Sequence, residues 1–225
     1  MRRFFQIALP LIAAAACGSD NPASTGDGNG SNNTTPYSLS ADSSFLDRTA
    51  PIGTALGTKV HVELSGLAAA NVTVSWFTAA GSGTTSAKTS TTDANGDASI
   101  TWTLSDTARV NTLTATAGTG SVNLTATSTP GAPNAISAAT ADSTSLVAGA
   151  STLISVRVVD AFGNRVPGVQ VSWTATGGSL STQSSTTGTA GNADVVFMTT
   201  STPTSYSVTA TAPGLSPVSF KIIGF

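Results

Sequence analysis

Asn71–Trp76 reads NVTVSW, and Gly168–Trp173 reads GVQVSW. In both, Val, Val and Trp alternate with Thr, Ser or Gln. A period of two places the apolar side chains on one face of an extended strand and the hydroxyls on the other. The pair is not isolated. Thr91–Ala98 (TTDANGDA) returns as Thr186–Ala193 (TTGTAGNA), and Leu113–Gly118 (LTATAG) returns as Val208–Gly214 (VTATAPG). The first pair is offset by 97 residues and the others by 95. A repeat of that length is one structural unit occurring twice.

Outward from these segments the alternation continues. Val60, Val62 and Leu64 face one way, and His61 and Glu63 the other. Ala98, Ile100, Trp102 and Leu104 form a second apolar row, and Val122, Leu124 and Ala126 a third. The second unit repeats the pattern through Ile154, Val156, Val158, Val195, Phe197, Tyr206, Val208, Phe220 and Ile222. About seven short strands per unit, separated by Gly, Asn and Pro, predict a two-sheet sandwich. The fold class is therefore all-β, with two tandem Ig-like β-sandwiches over 37–130 and 134–225. Thr129-Pro130-Gly131-Ala132-Pro133 is a short linker stiffened by its prolines. Trp76, Trp102 and Trp173 fall on the inward parity and are expected in the cores.

The N-terminus has a different grammar. Arg2 and Arg3 precede an apolar run, Phe4–Ala16, which is too short to cross a bilayer as a helix and reads as an export signal. Ala14-Ala15-Ala16-Cys17 resembles the lipobox of bacterial lipoproteins, and Cys17 is the sole cysteine. That resemblance implies cleavage after residue 16 and acylation of Cys17, so that the protein meets a membrane through a lipid anchor. The same alanines also fit ordinary signal-peptidase cleavage, which leaves a free thiol. Gly18 stands where an Asp would signal inner-membrane retention, so the outer membrane is the expected location. Residues 17–36 continue as a Gly/Asn/Ser-rich disordered tether of roughly 25 Å root-mean-square span.

Val156–Gly168 reads VRVVDAFGNRVPG. With Val147-Ala148-Gly149, Thr186–Ala193 and Thr209–Gly214, this run resembles the bacterial immunoglobulin-like domains of the invasin and intimin type, over Ala135–Phe225. The first unit is a degenerate relative. Its Leu64–Val72 segment is three residues shorter than Val158–Val169 and lacks a DAFGN turn. The resemblance implies a rigid spacer.

Composition narrows the chemistry. Charged residues make up 9% of the chain, and the nine basic groups fall to seven once Arg2 and Arg3 are removed. Against eleven acidic groups the exported part carries −4, with no basic patch for nucleic acid. His61 is the only histidine and Glu63 the only glutamate, so no catalytic set is expected. Asp93, Asn95 and Asp97 alternate oxygen side chains as a Ca²⁺ loop does. An EF-hand loop, however, needs Gly at its sixth position and Glu at its twelfth, where Ala98 and Leu104 stand. Asn95-Gly96 reads instead as a hairpin turn, and Asp160 with Asn164 as a second turn. No metal or cofactor is expected; Asp93, Asn95, Asp97 and Asp160 are the residues a Ca²⁺ ion would find. Phe77, outside the inward row of its strand, and Phe162, in the DAFGN turn, are the surface candidates for contact with a protein or glycan; Phe162 can equally plug the end of its sandwich or touch the first domain. The expected function is that of a non-catalytic spacer anchored in the cell envelope, with an adhesin-like surface binding module as the alternative.

Overall fold

The computed structural model describes residues 35–225. The export signal, Cys17 and nearly all of the tether lie outside the described residues. The first sandwich contains β1 (Ser38–Ser40), β2 (Arg48–Pro51), β3 (Ala55–Leu64), β4 (Leu67–Ala68) and β5 (Thr73–Thr78). It continues with β6 (Thr84–Thr85), β7 (Thr89–Thr91), β8 (Asp97–Thr103), β9 (Val110–Ala117) and β10 (Gly120–Thr129). The second contains β11 (Ala135–Ala138), β12 (Ser143–Leu146), β13 (Ser151–Val159), β14 (Gln170–Ala175) and β15 (Ser179–Leu180). It closes with β16 (Ser184–Thr186), β17 (Asn192–Met198), β18 (Ser205–Thr211) and β19 (Val218–Gly224). Among the described residues the helical content is one 3₁₀ turn, Ser43–Phe45, whose first N–H groups are capped by Asp42.

In the first sandwich one sheet runs β1-β3-β8-β6 and the other β2-β10-β9-β5-β7. In the second the orders are β11-β13-β17-β15 and β12-β19-β18-β14-β16. Apart from β4, which pairs with β3 and has no counterpart strand in the second sandwich, the two orders are the same, so the repeat in sequence is a repeat in topology. The long strands are those read from alternation. The additional ones, such as β4, β6 and β15, are two residues long and carry no period.

The inward rows form the two cores. Trp76, Trp102 and Trp173 are each no more than 2% exposed, among Val62, Val74, Leu113 and Leu124 in one sandwich and Val171, Phe197, Val208 and Phe220 in the other. Each indole N–H is satisfied. Trp76 donates to Ser90 Oγ and Trp173 to Ser185 Oγ, both at 2.9 Å, and Trp102 donates to the Ser82 carbonyl at 2.8 Å. A buried Trp belongs only where its N–H finds such a partner.

The repeated Thr-Thr motif has a physical cause. Thr92 is buried; its hydroxyl donates to Ala69 O at 2.6 Å and accepts from Val72 N at 2.9 Å. Thr187 does the same with Val166 O at 2.8 Å and Val169 N at 2.9 Å. Each hydroxyl satisfies two backbone groups that no ladder reaches. The turn that follows is not the expected hairpin. β7 pairs with β5 in one sheet and β8 with β3 in the other, so Asp93–Gly96 is an arch crossing between sheets. Alternation gives each strand an inward face but does not say which sheet it joins. Gly96 is fixed twice over: its φ is +79°, and a Cβ would sit 2.6 Å from Val62 O.

Candidate functional site: the joint between the sandwiches

Residues 35–225 belong to one compact unit. Its joint is built on the Asp160–Asn164 turn. Asp160 N donates to Asn164 O at 2.9 Å, and Gly163 takes a φ of +84°, closing the loop after β13. The Asp160 carboxylate sits inside this turn, 3% exposed. Oδ1 accepts from Phe162 N and Asn164 N, both at 2.9 Å. Oδ2 accepts from Asn164 Nδ2 at 2.9 Å and from Gly131 N, in the linker, at 2.8 Å. Four donors fill the accepting capacity of the carboxylate. Burial pushes the Asp160 pKa up, but the bonds from Asn164, Gly131 and Phe162 outweigh it and hold the group below the usual carboxylate value.

Asn164 carries the joint onto the first sandwich. Its Oδ1 accepts from Ala108 N at 2.9 Å, and its Nδ2 donates to Asp106 O at 2.8 Å, both in the loop between β8 and β9. One amide thus bonds the neighbouring domain in both directions, while Asp160 holds the linker. A groove of about 270 Å³ is lined by Ile52, the linker, Asp160 and Phe162. A second, of about 700 Å³, is lined by Ala108, Pro130, Asn164 and Arg165 among others.

The joint chemistry occurs once. By the 95-residue offset, Pro203 stands where Ala108 supplies its N–H, so the far end of the second sandwich has no donor there. Likewise the first sandwich has the tight Ser65-Gly66 turn where the second has DAFGN.

A small charged cluster lies on the outer face of β3 and β8. Lys59 Nζ lies 2.9 Å from Asp97 Oδ2, and His61 Nδ1 lies 2.9 Å from Asp97 Oδ1. A carboxylate can only accept here, so Nδ1 carries the proton. Lys59, then His61, holds Asp97 below the usual carboxylate value. The sequence offers His61 only Glu63 as a neighbour; Asp97, 36 residues away, comes to it because β3 and β8 pair His61 with Asp97 in register. His61 Nε2 faces Glu63 Oε1 at 3.6 Å. The nitrogen that would deprotonate a nucleophile therefore faces an acceptor, and this is a surface ion-pair cluster in form.

The other candidates are dispersed. Asp93 Oδ1 accepts from Asn95 N at 2.8 Å and Asp97 N at 3.0 Å, so its carboxylate closes its own turn, while Asp97 points to Lys59 and His61. Among the described residues no group of three or more His, Cys, Asp or Glu could hold a metal ion. Phe162 is 63% exposed at the rim of the joint, and Phe77 is 58% exposed on β5. Alternation showed the outward parity of Phe77, while Phe162 lies in a turn that has no parity. What alternation could not show is the outer half of Asn164, whose partners lie 56 and 58 residues away.

Residues 136–220 match the family model described as bacterial Ig-like domain (group 1). The resemblance read from VRVVDAFGNRVPG thus holds over the second sandwich. No curated protein matches the chain. Among solved structures, InvD of Yersinia pseudotuberculosis is 16% identical with a TM-score of 0.52, covering 85% of this chain and 58% of that one. FdeC, an Escherichia coli adhesin, is 16% identical with a TM-score of 0.48, covering 85% and 65%. The D0-D1 domain of intimin is 24% identical with a TM-score of 0.33, covering 83% and 97%. The likeness to InvD is one of fold, namely tandem Ig-like β-sandwiches.

Proposed function

We propose that this chain is a non-catalytic spacer, lipid-anchored through Cys17 at the bacterial cell envelope, that carries its two Ig-like domains in a fixed relation. The observation that supports this most is the joint. Asn164 bonds Asp106 and Ala108 while Asp160 bonds linker Gly131, all between 2.8 and 2.9 Å. A linker held on its backbone and bridged on its flank does not act as a swivel. The anchor part of the reading rests on the sequence before residue 35, where a short export signal runs into a lone cysteine. Two lipid chains already suffice for stable attachment to a membrane. On this reading the outer membrane holds the lipid, the tether sets the stand-off distance, and the sandwiches project from it.

Fractionation tests the anchor. Wild-type protein should sediment with membranes and show an acylated N-terminal Cys17 by mass spectrometry, and Cys17→Ser should move it to the soluble fraction. A Cys17→Ser protein that stays with membranes, or an unmodified thiol in the wild type, overturns this reading.

The exposure of Phe162 beside the Ile52 groove favours a second reading, recognition of a cell-surface protein or glycan. An array screen in which Phe162→Ala loses a signal given by wild type, with unchanged thermal stability, would establish it.

A further inference from the structure

Each sandwich begins with a segment that changes sheets. β1 pairs antiparallel with β3, but β2, eight residues on, crosses to the other sheet and pairs with β10. That pairing is parallel: Arg48 to Pro51 lie in register with Ala126 to Thr129. The second sandwich repeats it, with Ser143 to Leu146 parallel to Lys221 to Gly224. The two parallel ladders are continued at their ends by Ile52 N donating to Thr129 O at 2.9 Å, and by Ala148 N donating to Phe225 O at 2.9 Å. Elsewhere in both sandwiches the paired strands are antiparallel.

This exception has a mechanical meaning. β2 and β12 each follow only one short strand, β1 or β11, and β10 and β19 are the last strands, so in these parallel pairs the chain enters at one end of the sandwich and leaves at the other. Tension between those ends pulls β2 one way and β10 the other along their common axis. Parallel bonds are evenly spaced along the strands, so all of them load together and the strands must slide to part. An antiparallel hairpin pulled at its open end loads one bond at a time. Side chains reinforce the first clamp: Asp47 accepts from Thr125 Oγ1, and Arg48 Nη2 donates to Thr58 Oγ1 at 3.1 Å on the opposite sheet. In the second, Thr199 Oγ1 holds Val147 O at 3.2 Å and Ala150 O at 3.1 Å, just beyond β12.

We infer that the chain is a tension-bearing connector in which β2–β10 and β12–β19 are shear clamps in series, aligned with the load between its ends. The source of that load, an anchor at one end and an attachment beyond it, rests on the proposed envelope anchoring; the clamps themselves do not.

Single-molecule pulling on purified protein carrying Cys17→Ser, with handles at the two termini, tests the inference. Two force peaks are expected, each followed by lengthening of roughly 300 Å at about 3.5 Å per released residue. In a second version Thr49→Cys and Thr127→Cys take the handles. These exposed, registered partners load the same β2–β10 pair across its axis. The first sandwich should then open at a several-fold lower force. An unchanged thermal melt for the double variant keeps the comparison on the direction of load and away from stability. Equal forces in the two geometries, or end-to-end unfolding without resolved peaks, would overturn the inference. Because the measurement uses unanchored protein, a Cys17→Ser variant that stayed membrane-bound in cells would sink the anchor and leave this result standing.

Discussion

Asp160 shows how much one side chain can hold. A buried carboxylate without a cation is costly unless hydrogen bonds replace its water, and here four do. Replacing it by Asn keeps the shape but turns an amide N–H₂ towards donors, stranding some of them. Asp160→Asn should therefore destabilise the second sandwich by about 1–3 kcal/mol in urea unfolding. The pH dependence has a definite sign. Asp160 is held below its usual value in the fold, so its contribution is present above the unfolded value and lost as pH falls through the folded one. Wild-type stability should drop below about pH 4, and Asp160→Asn should flatten that drop. With its lone pairs filled by N–H groups, Asp160 also has little to offer Ca²⁺. The melting temperature is expected to be the same in EDTA and in millimolar Ca²⁺, since a ligand stabilises only in proportion to real binding. A rise of several degrees that Asp93→Ala or Asp160→Ala abolishes would show a bound ion. Trp173 makes the complementary case for the apolar core. It is 2% exposed, and truncation of a buried aromatic costs about 3–5 kcal/mol, a large share of the 5–15 kcal/mol of a typical domain. Trp173→Ala should unfold the second sandwich while the near-identical environment of Trp76 in the first survives, as read by two-step thermal unfolding.

At the level of elements, the two arches are the part of the fold most plainly written twice. Thr187→Val removes the hydroxyl at nearly constant volume and leaves Val166 O and Val169 N unsatisfied in a buried place. A loss of about 1–3 kcal/mol is expected for each such arch, and Thr92→Val should give the same in the first sandwich. The sequence repeat marks this segment, with Thr-Thr followed by Gly four or five residues later, though it does not show what the threonine hydroxyls hold. Strand faces were legible, since parity alone places Val62, Val74 and Trp173 inside. Sheet membership was not legible. Asp93–Gly96 has the composition of a hairpin turn, and the choice between hairpin and arch is made by β3 and β5, remote in sequence. The second sandwich's corner shows the same limit: Tyr206 hydroxyl meets Thr200 Oγ1 at 2.8 Å and accepts from Thr200 N at 3.1 Å, as a tyrosine corner does. In the first sandwich Asn111 occupies that repeated position and takes Ser105 Oγ at 2.8 Å. The contact persists with both partners exchanged, so no residue match betrays it. His61 with Asp97 and Asn164 with Ala108 were hidden likewise, being made by register and docking across tens of residues.

For the whole molecule the deciding quantity is the freedom of one domain against the other. Interfaces between domains within a chain are by default small and mobile, and a five-residue linker alone would leave the angle open. Two features oppose that here: the prolines at 130 and 133 fix their own φ angles, and the Asn164 amide bonds the first sandwich through both of its polar atoms. Because Cys17 is the only cysteine, spin labels can be placed cleanly in a Cys17→Ser background. Ser99→Cys on β8 and Val196→Cys on β17 are exposed and lie on different sandwiches. Pulsed electron–electron resonance should give one narrow distance distribution between them. Adding Asn164→Ala deletes the bonds to Asp106 and Ala108 while leaving Asp160 bonded to Gly131, Phe162 and the backbone of residue 164. The distribution is then expected to broaden markedly with little change in either domain's melting. If the wild-type distribution is already broad, the sandwiches swivel and the fixed-spacer reading fails. If Asn164→Ala leaves a narrow distribution unchanged, the rigidity comes from the prolines and Asp160, and the amide is a passenger at the joint.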